Sequence, residues 1–186
     1  WEMVDKCDAN GKLLHEMILV CNYLRQWLLH PNEFVRGYTL RFVCKMQEPE
    51  LLEPLVPAVR QNLEHRHAYV RRSAVLALAA VFRVHDVLAP DAPEIIGNFL
   101  VAENDASCKR NALITLFSIS QERAVQYLSS VLDQVASFGD VLQLAVIDLI
   151  RKSVRIAAQE RSRYLRCVGQ LLESASPAVR YEAAVT

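Results

Sequence analysis

Glycine is scarce in this chain, five residues in 186. No stretch alternates apolar with polar residues, so the period-two pattern of a half-buried sheet has no support. An excess of one charge is also missing, since Lys plus Arg and Asp plus Glu each total 21 and the formal net charge is zero. That balance lacks the broad positive field with which proteins follow nucleic-acid phosphates, so no nucleic-acid partner is expected, although a local basic patch stays open. Long apolar runs are absent as well: the longest, 74–82, has nine residues, against roughly 18 to 20 for a helix that crosses a bilayer. The five cysteines, Cys7, Cys21, Cys44, Cys108 and Cys167, form no C-x-x-C pair. Their odd number and wide spacing fit reduced cytosolic thiols better than a disulfide framework or a zinc site.

What the chain does have is apolar residues at helical spacing, almost throughout. With 52% hydrophobic and 23% charged residues, it has the composition of a folded protein with a sizeable core. The helices repeat. Phe34-Val35-Arg36-Gly37-Tyr38-Thr39-Leu40, Tyr69-Val70-Arg71-Arg72-Ser73-Ala74-Val75, Ser107-Cys108-Lys109-Arg110-Asn111-Ala112-Leu113 and Ala178-Val179-Arg180-Tyr181-Glu182-Ala183-Ala184 share an apolar residue, a cation and a small residue in register. A fifth copy, Val141-Leu142-Gln143-Leu144-Ala145-Val146, lacks the cation. The apolar positions 35, 70, 108, 141 and 179 are separated by 35, 38, 33 and 38 residues, the period of stacked helical hairpins.

The expected fold is therefore all-α, an α-α superhelix of the HEAT/armadillo type with about five hairpins, at 12–46, 50–85, 91–120, 121–156 and a truncated 159–186. Thr39, Ala74, Ala112, Ala145 and Ala183 are expected where the second helix of each hairpin crosses the first, because a large side chain would hold the axes apart. First helices are expected over 13–29, 51–63, 93–103, 122–135 and 160–173, the second of them kinked by Pro54 and Pro57. Asp91 with Glu94 reads as a helix cap, and Gly139-Asp140 with Gln143 as a capping box. The cations Arg36, Arg71, Lys109 and Arg180 are expected to tie one repeat to the next through carboxylates and backbone carbonyls. The chain opens on Trp1 and stops at Thr186 within a new apolar pattern, so a piece of a longer protein is expected.

Enzyme chemistry needs acids, bases or nucleophiles converging on a pocket, and no such set is visible. His15-Glu16 lacks the second His of H-E-x-x-H, and neither a Gly-rich phosphate loop nor a G-x-S-x-G elbow occurs. Neither catalysis, nor a metal, nor a cofactor is expected. Cys108 fills a slot that is Val in three sister repeats and reads as core. His65, Arg66, His67 and Arg72 form a candidate basic patch for an acidic partner or a lipid phosphate, weighed against an ordinary solvated turn.

Six stretches, among them His30-Pro31-Asn32-Glu33-Phe34-Val35-Arg36-Gly37, Leu63-Glu64-His65-Arg66-His67 and Asp105-Ala106-Ser107-Cys108-Lys109-Arg110-Asn111-Ala112, closely resemble the N-terminal adaptin-like trunk of the coatomer beta-subunit family. Similarity runs through to Ser176-Pro177-Ala178-Val179-Arg180, nearly the whole chain. The beta chains of clathrin adaptors share the trunk but resemble it less; a nuclear-transport or phosphatase HEAT scaffold is the further alternative. The resemblance implies a non-enzymatic subunit of the COPI vesicle coat in Golgi-to-ER and intra-Golgi transport. It implies sister coatomer subunits and a GTP-bound Arf-family GTPase as partners, and a cytoplasmic protein held on Golgi membranes and COPI vesicles through them. In related trunks the GTPase meets the helix ahead of the Pro-Asn turn, here 13–29. By resemblance, then, its contacts fall on Ile18 and Cys21, with Asn22 and Arg25 as a polar rim.

Overall fold

The computed structural model describes residues 6–7, 14–154 and 158–186. Leu13, which opens the first expected helix, lies outside the described residues, as do positions 12 and 156 of the expected repeat bounds. The chain divides into two compact units, Trp1–Ile95 and Ile96–Thr186.

In the first unit, α1 (His15–Leu28) and α2 (Glu33–Val43) make a hairpin. Met17, Cys21, Leu24 and Leu28 bury one face of α1, the spacing of three and four that a helix needs to keep side chains on one stripe. The side chain of Asn32 starts α2 by accepting from the Phe34 amide at 2.8 Å, which satisfies a donor that has no partner within the helix. The next first helix is broken into α3 (Pro49–Leu52), a 3₁₀ turn (Glu53–Leu55), α4 (Val56–Gln61) and a second 3₁₀ turn (Asn62–Glu64). Pro54 lies within the first 3₁₀ turn, where its missing N–H and its ring interrupt the α ladder. α5 (Ala68–Val84) packs along α2. Its Val70, Ala74, Ala77, Leu78 and Val81 are almost wholly buried, and burying a Val or Leu side chain contributes about 1.5 to 3 kcal/mol.

The unit boundary falls inside α6 (Ala92–Ala102). In the second unit α7 (Ala106–Ile119), α9 (Asp140–Ser153) and α11 (Pro177–Ala184) lie side by side, with α8 (Gln121–Val131) against α7 and α10 (Arg161–Leu171) against α11 and the 3₁₀ stretch Leu132–Ser137. With α3, α4 and their 3₁₀ turns taken together as one broken helix, the described residues hold ten helical segments and no strand, the all-α class and segment number expected. Thr39, Ala74, Ala112, Ala145 and Ala183 are all buried, none more than 5% exposed.

The turns that lead into second helices share a construction that residue types conceal. Nδ1 of His30 accepts from the amide of Asn32 at 3.0 Å, and Nδ1 of His65 from that of His67 at 3.1 Å. Glu103 Oε1 accepts from Asp105 N at 2.9 Å, and Ser174 Oγ from Ser176 N at 3.3 Å. In each case the acceptor bonds the amide two residues on. Three of these turns are then clamped by an arginine six residues beyond the acceptor, through its backbone carbonyl: Arg36 to His30 at 2.6 Å, Arg71 to His65 at 2.9 Å and Arg180 to Ser174 at 2.7 Å. These arginines therefore clamp their own hairpin's turn, and Arg36 also reaches the next repeat, at Asn62 Oδ1 (3.0 Å).

Two expected caps are built differently. The Asp91 carboxylate receives a fork from Arg60, with Nη1 at 2.7 Å, which holds its pKa below the usual carboxylate range. Gln143 turns away from its helix start: its amide donates to the carbonyls of Val135 and Ala136 at 3.2 and 3.1 Å, so Gly139 is the N-cap without a side-chain bond. Gln143 thus does in the fourth hairpin what arginine does in the first, second and fifth, from the same place four residues after the N-cap, so this copy is in register at buried Leu142 and not at exposed Val141.

Candidate functional site

At 100° per residue, Ile18, Asn22, Arg25 and Leu29 fall within about 60° of one another on α1, beside the buried stripe. All four are exposed, Ile18 by 49%. Cys21 lies on the buried stripe instead, 8% exposed, and its thiol meets the Leu51 carbonyl at 3.6 Å. Burial pushes that thiol's pKa up, with Arg25 pulling the other way. The expected contact pair is thus divided: Ile18 is available to a partner, and Cys21 belongs to the packing of α1 on α3. Ile18 with Asn22 and Arg25 keeps the form of an apolar anchor with a hydrated rim.

The basic turn divides as well. The rings of His65 and His67 stack with centroids 5.5 Å apart. Burial, reinforced by Arg36, His67 and Arg66 and opposed by Glu33, lowers the pKa of His65. His65 builds the turn, as shown above, so the charge of this patch rests on exposed Arg66 and on Arg72, whose guanidinium lies 5.2 Å from the centre of the Tyr69 ring.

Arg72 points to a surface that residue patterns had not singled out. Leu19, Tyr23 and Trp27, four residues apart on the other flank of α1, are all exposed, and the Tyr23 and Trp27 rings lie 6.4 Å apart. This stripe leads into a groove of about 690 Å³ lined by Trp27, Phe34, Tyr38 and Tyr69, with His30 and Arg41 among the polar lining groups. Phe34 and Tyr38 are 65% and 69% exposed. Tyr69 anchors the groove: its ring sits 5.6 Å from that of Phe34, and its hydroxyl accepts from Arg41 at 2.9 Å. The ring lies against the Cα of Gly37, where any added Cβ would overlap it. The only signal in the sequence was the spacing of Leu19, Tyr23 and Trp27, one face of a helix that already had a complete buried stripe.

Among the described residues no cluster of His, Cys, Asp or Glu is placed to hold a metal ion, and no helix is long and apolar enough to cross a membrane. The candidate site is therefore a pair of exposed surfaces on the first two hairpins, the Ile18 flank of α1 and the aromatic groove.

Residues 9–186 match the adaptin N-terminal region family. The chain is 58% identical over 186 residues to coatomer subunit beta of Pongo abelii, 61% to that of Dictyostelium discoideum and 57% to that of Drosophila melanogaster. Each alignment takes in the whole chain and 19–20% of the relative, so the chain spans about a fifth of the length of these proteins. Among solved structures, the crystal structure of an engineered protein aligns with a TM-score of 0.56 at 16% identity, covering 89% of this chain and 76% of the other. At that identity the likeness concerns the fold alone.

Proposed function

The chain belongs to the adaptin N-terminal region family, and from that premise we propose that it is a scaffold segment of the COPI vesicle coat, acting in Golgi-to-ER and intra-Golgi transport. The observation that carries the reading is identity of 57–61% to coatomer beta subunits, sustained over all 186 residues. Its work is binding, without catalysis: helical hairpins present long surfaces to sister coatomer subunits, and the protein reaches Golgi membranes and vesicles from the cytoplasm through its partners. A GTP-bound Arf-family GTPase docks on the Ile18 flank of α1. The support there is an exposed Ile beside exposed Asn22 and Arg25 on a helix that is otherwise packed through Met17, Cys21, Leu24 and Leu28.

The test is affinity purification of the full-length protein, as wild type and as Ile18→Asp, with identification of partners and assay of recruitment to membranes carrying GTP-loaded Arf. Wild type should bring down coatomer subunits; nuclear transport factors in their place would sink the coat reading. Ile18→Asp should lose GTP-dependent recruitment while its helical spectrum and melting temperature stay within error of wild type. A folded variant that is still recruited puts the GTPase elsewhere, and a variant that unfolds makes Ile18 a core residue.

A further inference from the structure

We infer that the groove between the first two hairpins, lined by Trp27, Phe34, Tyr38 and Tyr69 and edged by Arg41 and Arg72, is a docking site for an acidic linear segment of a partner protein, which inserts one aromatic side chain. The site is distinct from the Ile18 surface. On α1 Trp27 lies about 180° around the helix from Ile18 at 100° per residue, so one partner cannot cover both with the same face.

Three observations fix the occupant's chemistry. The first is shape and polarity: several exposed aromatic rings around one groove of about 690 Å³ form the kind of contiguous apolar patch that marks an interaction surface. Trp, Tyr and Arg are the residue types that most often anchor interfaces, and the aromatic ones add large contact area with little entropy to lose. The second is charge. The groove lining holds His30 and Arg41 and no acid; the neighbouring acid, Glu33, acts on His65 and is not part of the lining. An acidic segment is therefore complementary, and a basic one is repelled. The third is preorganisation. Arg41 stands 6.0 Å from the centre of the Tyr38 ring and 5.8 Å from that of Tyr69, and Nη2 donates to the Tyr69 hydroxyl. Arg72 stands 5.2 Å from the same ring. The Arg41 guanidinium, held near two rings, keeps the other donors of its planar fork for a carboxylate, and little of its freedom remains to be lost on binding.

The test uses fluorescence anisotropy of a fluorescein-labelled peptide with a central Phe flanked on both sides by Asp and Glu, titrated with the chain. Two control peptides replace Phe by Ser, or every Asp and Glu by Asn and Gln. Binding of the first peptide should exceed that of either control by about tenfold or more, and should weaken as salt is raised. Tyr38→Ser and Arg41→Ala should each weaken it about tenfold with unchanged circular dichroism, and Arg41→Lys should restore only part of the loss. Tyr38 is 69% exposed, so its replacement tests the surface and not the core. The inference is overturned if the acidic aromatic peptide fails to bind, if either control binds as well, or if neither variant weakens binding. It is also overturned if sedimentation shows a dimer of the chain that Tyr38→Ser dissolves, since the occupant is then a second copy.

Discussion

The turn at 30–36 and the turn at 135–143 meet the same demand with opposite means. Each leaves backbone groups between two helices without helical partners. The first is built on the outside of the hairpin, where His30 accepts the Asn32 amide and Arg36 gathers the carbonyls of Leu29 and His30 at 3.0 and 2.6 Å. The other is closed from within, by a glutamine only 4% exposed that takes the carbonyls of Val135 and Ala136 and accepts from Ser174 at 3.0 Å. The comparison teaches that a repeat conserves the bonding requirement of a turn and not the residue that meets it. It also implies a difference in fragility: the first turn's partners lie nearer the surface, whereas the Gln143 side chain is buried, and a buried group left without its partner costs more than one that water can serve.

The largest effect is expected from breaking the turn held by Gln143. Gln143→Leu keeps the volume and removes the donor, leaving two carbonyls and the Ser174 hydroxyl without it. Urea unfolding should report a loss of about 2 to 3 kcal/mol. A loss below that of the outer turn would invert the comparison. Next comes Arg36→Met, which removes bonds to Leu29, His30 and Asn62; the Leu29 bond is exposed to water, while Asn62 is buried and keeps its amide bonds to Leu28 and Ala58. The expected cost of this substitution is about 1 to 2 kcal/mol by the same measurement.

The smallest effect sharpens the comparison through pH. The third hairpin has a carboxylate cap: Asp105 Oδ1 accepts from Ser107 N and Cys108 N, both at 3.0 Å. Its bond from the Ser107 hydroxyl, followed by the one from the Cys108 amide, lowers its pKa. A carboxylate with a depressed folded pKa contributes stability that is present above its unfolded pKa and lost as pH falls through the folded value. Guanidinium clamps keep their charge over that range. The stability difference between wild type and Asp105→Asn, whose amide oxygen still caps at any pH, should therefore shrink or change sign by up to about 1 kcal/mol on acidification below the usual carboxylate pKa. Urea unfolding of the pair at neutral and acid pH reads it. A constant difference would mean that the cap does not depend on the ionised carboxylate.

The helix count, the small buried residues and the break at Pro54 were legible because each rests on a strong local rule: helical period, close crossing, a missing N–H. The turn construction was only half legible. Arginine at a fixed position stands out, but the acceptor six residues before it is His, His and Ser, and the third turn substitutes Glu103. Types so different share only the ability to accept a hydrogen bond. Gln143 was misread as a capping residue because spacing from a helix start does not reveal which way a side chain turns. On α1 the apolar residues run wider than one face, and the sequence does not say which of them a neighbouring helix covers. Cys21 was thereby taken for surface and Trp27 passed over. The groove joins α1, α2 and α5, so no local pattern contains it.

Gly37 is buried, so no partner of the groove would touch it, yet it sets the place of the Tyr69 ring that anchors the groove. The Tyr69 ring occupies the volume a side chain at 37 would fill, and a single methyl there forces the ring to move. Arg41 would then lose the hydroxyl that holds it, and Arg72 the ring it lies near. The absence of one interior carbon atom thus fixes where a ring stands on the outer surface.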